Sequence, residues 1–323
     1  MVAAAAVKDR AGLGAGSRAP ALALTLAAFF WSGNFIAGRA LHEHIDPLTL
    51  NFARWLTALA LLAPFVWRDV RASLPILLRE WRLVVGLGTT GIAAFHTMAY
   101  VALQTTSATN ALLTLSLVPI AILAGAALIG AERPTARQLM GALVSIVGAV
   151  VLITNGDLTA LRTASFNAGD LWMLAAVAVW AIYSLLLRRR PADLPQGAAL
   201  AASIAAGLAL LAPPLFVTAR TPLAAFASIP IALSIGYISV FASVIAFRLW
   251  SYGVSQLGAA RSGQFIHLMP VFGAALASGV LGETPTLSQL GGGALVLAGI
   301  VAVERRPEIR FARARSLSSA RRM

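Results

Sequence analysis

The 323-residue sequence has no cysteine and only 12 carboxylates, and charged residues of both signs make up 11% of it. The first absence excludes disulfides, thiolate metal ligands and cysteine nucleophiles together. The low charge excludes an ordinary soluble domain, in which about a quarter of the residues are charged. No Asp or Glu falls in the middle of a long apolar run. A Ser-His-Asp triad would therefore lack the carboxylate that orients its imidazole, and the histidines would lack acidic partners for a metal. Catalysis, a metal and a cofactor are not expected.

What is there is hydrophobic: 59% of the residues are apolar or aromatic. Apolar runs of about 17 to 25 residues suffice to cross a hydrocarbon core of roughly 30 Å. They recur at 20–38, 47–67, 82–103, 108–130, 137–153, 169–187, 195–217, 228–252, 259–281 and 287–303. The pattern predicts an all-α integral membrane protein of ten transmembrane helices. The fifth and tenth runs are the shortest, and their Gly-Ala-Leu-Val texture suits close helix packing in lipid.

The net charge of +13 raises the possibility of a nucleic-acid partner, and the placement of the basic residues argues against it. With a cytoplasmic N-terminus, ten crossings leave both termini inside, and the inner segments hold 20 of the 25 Lys and Arg residues. The outer segments hold only Arg39, Arg162 and Arg220. The positive-inside rule accounts for that asymmetry without a polyanion. The chain is thus expected in a cell membrane of the bacterial inner-membrane kind, with lipid and a small molecule as its partners. Ten helices suit a monomer. Residues 1–19 and 304–323 read as cytoplasmic tails, the second of them basic, and the first apolar run reads as a retained helix.

A repeat orders the spans. Residues 117–152 and 268–303 align without a gap at an offset of 151, with 12 of 36 positions identical. Among the matches are Pro119 with Pro270, Glu132 with Glu283, Pro134 with Pro285, Thr135 with Thr286, Gln138 with Gln289, Gly141 with Gly292 and Gly148 with Gly299. The halves are then 20–153 and 169–303, with five spans each. An odd number of spans makes the second copy enter the membrane from the opposite side, so the repeats are inverted. Such repeats give many transporters alternating access around a site at their interface, although duplication for stability alone gives the same pattern. Thr135 with Gln138, and Thr286 with Gln289, have the spacing of a capping box.

The doubled Pro-(x)12-Glu-x-Pro-Thr-x-x-Gln-x-x-Gly segment and the run Phe30 to Phe35 resemble the drug/metabolite transporter superfamily, and within it the EamA-type exporters. Arg54 and the run Ser107 to Ala111 fit the same resemblance. It implies ten helices around a central cavity lined by the first, third, fourth, sixth, eighth and ninth spans. It also implies export of amino acids or similar metabolites. The aromatic content is similar to that of the family's aromatic amino acid exporters. Multidrug export and flipping of a lipid-linked carrier are alternatives within the fold. Asn110 facing Arg261 is a departure between the copies.

Polar groups at depth are costly and mark pathways. His96 and Tyr100 share a helical face, as do Trp31 and Asn34, and Trp180 lies three residues before Tyr183. The eighth span offers Tyr237, Ser243 and Phe247, and the ninth Gln264 and His267. Aromatic walls with a few hydrogen-bonding tips suit an amphipathic organic solute. The expected substrate-binding residues are Trp31, Asn34, His96, Tyr100, Trp180, Tyr183, Tyr237, Phe247 and His267. Each histidine could titrate, act as a neutral donor, or simply pack. Pro119 and Pro270 should kink corresponding helices, as hinges or as static bends. Trp67 and Trp81 belong to an interfacial belt. Arg54 needs a carbonyl, a substrate carboxylate or a water-filled cavity, whereas Arg248 could snorkel.

Overall fold

In a computed structural model the described residues are 18–41, 43–106, 108–130, 134–157, 159, 167–218, 221–281 and 286–304. They form ten membrane-scale helical units. α1 is Arg18–Leu41, α2 Pro47–Ala72, α3 Trp81–Thr105, and α4 the pair Ala108–Leu115 and Val118–Leu128. α5 is Ala136–Ile153, α6 Ala168–Leu187, α7 Gln196–Thr218 and α8 Ile229–Leu257. α9 joins Ala259–Gly263, a 3-10 turn Gln264–His267, and Leu268–Leu281; α10 is Leu287–Glu304. Among the described residues, eight helices are long and apolar enough to cross a membrane; α9 is broken and α10 shorter. Both tails, Glu132, Glu283 and Pro285 lie outside the described residues, as do the side chains of Arg39 and Asn110.

The helix starts follow local chemistry. Asp46 caps α2, its carboxylate accepting from Thr49 N at 2.9 Å, with Pro47 in the first turn. The capping box forms in both copies. Gln138 accepts from Thr135 N at 2.8 Å while Gln138 N donates to Thr135 Oγ1 at 3.2 Å; the bonds between Thr286 and Gln289 are 3.1 and 3.2 Å. For α6, Asn167 rather than Asp170 is the cap. Asp170 sits three residues inside and reaches back to Asn167 N at 2.9 Å, while Thr106 Oγ1 donates to its other oxygen.

α5 and α10 pack antiparallel, and the repeat explains how they meet. A Cβ on Gly141 would stand 2.7 Å from Gly299 O, and one on Gly148 would stand 2.6 Å from Gly292 O. Real side chains do not tolerate such distances, so glycine at these points lets the two backbones touch, the small-residue packing used between helices in lipid. Ser145 Oγ donates to Val296 O at 3.2 Å, a pair separated by the repeat offset itself. The inverted repeats thus meet around a pseudo-twofold axis.

Candidate functional site

The same axis runs through the centre of the molecule. His96 and Phe247 occupy corresponding positions in the two copies, and their rings lie 5.8 Å apart. Phe247 is 1% exposed and is surrounded by rings: Trp55 at 4.9 Å, Trp180 and Tyr183 at 5.6 Å, and Trp31 at 5.8 Å. Trp31 also meets Trp180 edge-on at 5.1 Å and Trp250 at 5.4 Å. Edge-to-face pairs of this kind are favoured by the ring quadrupole.

Helix irregularities place these side chains. α3 is π-helical over Gly88–Ala94 and α8 over Ile238–Ile245, at matching places in the repeat. A π segment loosens the hydrogen-bond ladder and leaves carbonyls for other donors. Asn51 Nδ2 donates to Ile92 O at 3.0 Å, Ala93 O at 3.2 Å and Thr97 Oγ1 at 2.9 Å. Trp31 Nε1 donates to Ala242 O at 2.9 Å, and Ser243 Oγ to Ile238 O at 3.0 Å.

One turn beyond Asn51 lies Arg54, with no exposed surface. Its guanidinium donates to Asn34 Oδ1 at 3.2 Å, to Tyr100 Oη at 2.8 Å, and twice to Ser243 Oγ, from Nε at 3.0 Å and from a terminal nitrogen at 2.7 Å. It lies 5.1 Å from the Trp55 ring. Among the described residues no carboxylate pairs with it; the ion pair they contain is Arg79 with Glu80, near the surface. Arg248, by contrast, is exposed beside Arg190. Trp67 and Trp81 are more than half exposed and lie against Arg71 and Arg82, as a belt requires.

Of the nine residues expected to bind solute, the structure brings Trp31, Asn34, His96, Tyr100, Trp180, Tyr183 and Phe247 together. Tyr237 stands apart. It lies ten residues from Phe247, about 15 Å along a helix, donates to Phe30 O at 3.0 Å and stacks on Phe241. His267 is buried across the axis from its repeat counterpart, and its Nε2 donates to Ser116 O at 2.9 Å. That bond lies at the paired breaks. Pro119 has no N–H to hold the preceding turn, so α4 is interrupted at Ser116 and Leu117; the 3-10 turn before Pro270 is the counterpart in α9. Trp55 and Trp250 were not anticipated as part of the centre. The one available signal was that Trp55 neighbours a membrane-embedded Arg.

One space of about 20 Å3 remains at the centre, and a second of the same size lies between Phe247 and the exposed Arg248. One is lined by Trp31, Asn34, His96 and Trp180; the other touches Tyr183, Phe247 and Arg248. Each has room for about one water. A cavity of about 960 Å3 lies between α2, α3, α6 and α7 at the Asp46 end, and it reaches Ala93 and Thr97, beside Asn51.

The sequence pattern of the EamA-like transporter family matches residues 18–154 and again residues 167–305, almost the whole chain. The chain belongs to the EamA-like transporter family. Members with curated names are similar over most of their length. One is a "Probable terminal-alkyne amino-acid exporter" of Streptantibioticus cattleyicolor, 28% identical over 290 residues, with 88% of this chain and 93% of that one covered. Another is a "Probable amino-acid metabolite efflux pump" of Salmonella typhimurium, 25% identical over 295 residues, covering 88% and 94%. A solved structure entitled "Crystal structure of protein" superposes with a TM-score of 0.68 over 92% of this chain and 98% of that chain at 21% identity, which establishes the shared fold. The chain is therefore a multi-pass membrane transporter with the ten-helix fold of the drug/metabolite transporter superfamily.

Proposed function

We propose that this transporter exports amino acids or related small metabolites across a bacterial inner membrane, and does so by alternating access between its two halves. The observation that carries the reading is the buried aromatic and hydrogen-bonding centre on the seam between the halves. Trp31, Asn34, His96 and Tyr100 come from the first half, and Trp180, Tyr183 and Phe247 from the second. Aromatic faces and few polar tips suit a small amphipathic solute rather than a bare ion.

The volumes at the centre support movement as the mechanism. Spaces for single waters do not hold an amino acid, so loading requires the halves to part around the axis. With both termini cytoplasmic, the large cavity at the Asp46 end opens to the outer side and forms an exit vestibule. The names of the two exporters above agree with the reading.

Purified full-length chain in liposomes loaded with a panel of labelled amino acids tests it. Efflux of one or more of them above protein-free vesicles is the expected result. A panel that stays inside, while a drug or a lipid-linked sugar moves, overturns the amino-acid assignment.

A further inference from the structure

Arg54 brings a full positive charge into the membrane interior, where a central Arg is among the costliest side chains to insert. Its bonds to Asn34, Tyr100 and Ser243 engage four of its five N–H directions, all on neutral oxygens, and no described carboxylate balances the charge. The guanidinium fork matches a carboxylate bidentately, and charge-assisted bonds of that kind are roughly twice as strong as bonds to neutral acceptors.

The surroundings hold further donors without partners. The indole N–H groups of Trp55, Trp180 and Trp250 are buried with no hydrogen-bond partner. A buried donor left unpaired is costly. All three lie on rings that meet Phe247 or Trp31, with ring centroids 4.9 to 5.6 Å apart. The small central space is bounded by Asn34 and His96, and Asn34 accepts from the Arg54 guanidinium. The site thus combines an uncompensated cation, unused donors and apolar ring faces, with no described acid to receive an ammonium group.

We propose that Arg54 is the anchor for the carboxylate of the transported solute, and that the solute class is monocarboxylates with an apolar or aromatic body, an α-ammonium group not being required. The proposal rests on the export reading above. When a carboxylate takes the guanidinium, Ser243 gives up its acceptor role and keeps its own donor bond to Ile238 O. The two hydrogen bonds lost by the protein are thus replaced by a stronger bidentate pair to the solute. The ring faces of Phe247 and its neighbours then receive the apolar body.

Four matched probes test this with the full chain in liposomes: 3-phenylpropionate, phenylalanine, 3-phenylpropionamide and phenethylamine. The two carboxylates should share half-saturation values within about threefold, and the amide and the amine should be at least about tenfold weaker. Arg54→Gln should abolish the preference for acid over amide. Arg54→Lys keeps the charge without the fork and serves where Arg54→Gln fails to fold; it should cut the preference at least about threefold. A purely structural role for Arg54 would lower thermal stability and leave the acid-to-amide ratio unchanged, so an unchanged ratio in Arg54→Lys overturns the anchor. Equal transport of amide and acid overturns it too, while export itself stands. Transport of phenylalanine without 3-phenylpropionate overturns the solute class. If none of the four probes moves while the amino-acid panel does, the anchor proposal fails and the export reading survives.

Discussion

Arg54 draws on both halves of the molecule: Asn34 and Tyr100 belong to the first, Ser243 to the second. Individual side chains at the centre therefore close the seam and, on the proposed reading, also face the solute. The rings around Phe247 separate the roles. Phe247→Leu keeps apolar volume and removes a ring, and an aromatic pair contributes about 0.5 to 1.5 kcal/mol beyond area. The expected consequence is a roughly 2- to 10-fold rise in the half-saturation concentration of a carried solute. Tyr237→Phe deletes only the bond to Phe30 O and should leave that value within about twofold. Equal effects of the two changes in a liposome efflux assay would place Tyr237 in the solute path. His267 is a different case, because its N–H fills a gap that Pro119 opens in α4. His267→Leu should cost about 1 to 3 kcal/mol through the stranded Ser116 carbonyl, and His267→Gln, which still offers an N–H, should cost less. Thermal unfolding in detergent decides; identical losses would mean that the bond contributes nothing.

At the scale of elements, the π segments matter most. Asn51 is the clamp on the one in α3, holding two backbone carbonyls and Thr97 with a single amide. Asn51→Leu should loosen that segment, seen as faster amide exchange over residues 92–97, with exchange in α5 unchanged. The α5–α10 joint is the rigid counterpart. Gly148→Leu would drive a side chain into Gly292 O and Val296 N and should destabilise the chain by at least about 1 to 3 kcal/mol, whereas Gly273→Ala meets open space and should not. Comparable losses in unfolding temperature would remove the joint from the list of tight contacts. These elements also mark what could be read in advance. Span positions, capping boxes and the breaks before Pro119 and Pro270 were legible, because hydropathy, Thr-x-x-Gln spacing and proline act through local chemistry. The π segments were not: neither the Gly- and Thr-containing Gly88–Ala94 nor the mostly apolar Ile238–Ile245 has a composition that distinguishes a π-helix from an α-helix. Their irregularity is set by donors from other helices, Asn51 on α2 and Trp31 on α1. For the same reason Trp55 and Trp250 could not be placed from spacing, since which helix faces meet is a tertiary fact.

For the whole molecule, the closed centre and the tight joint make opposite demands on motion. The joint between α5 and α10 sits on the axis and can act as a pivot, while the contact of Ser32 Oγ with Met269 O at 3.0 Å ties α1 to α9 across the seam. Because the chain has no cysteine, two introduced thiols are the only ones present. A Ser32→Cys, Met269→Cys pair, once oxidised, should stop efflux by at least about tenfold and recover on reduction, while a Ser145→Cys, Val296→Cys pair should oxidise with little loss. Efflux that continues through the locked α1–α9 seam would refute parting of the halves as the route.

The glycines at the joint have one more implication. Gly141 meets the counterpart of Gly148, and Gly148 meets the counterpart of Gly141, so each surface is the mould of its own copy. A contact with that reciprocity is the kind two identical chains make across a twofold axis. The seam is thus self-complementary in the manner of a homodimer, and one five-helix unit, inserted in both orientations, carries all the information needed to form it. The two halves differ at the aromatic centre, with His96 answering to Phe247, and match at the surface where they hold each other. Ancestry and specificity are written on different helices of the same molecule.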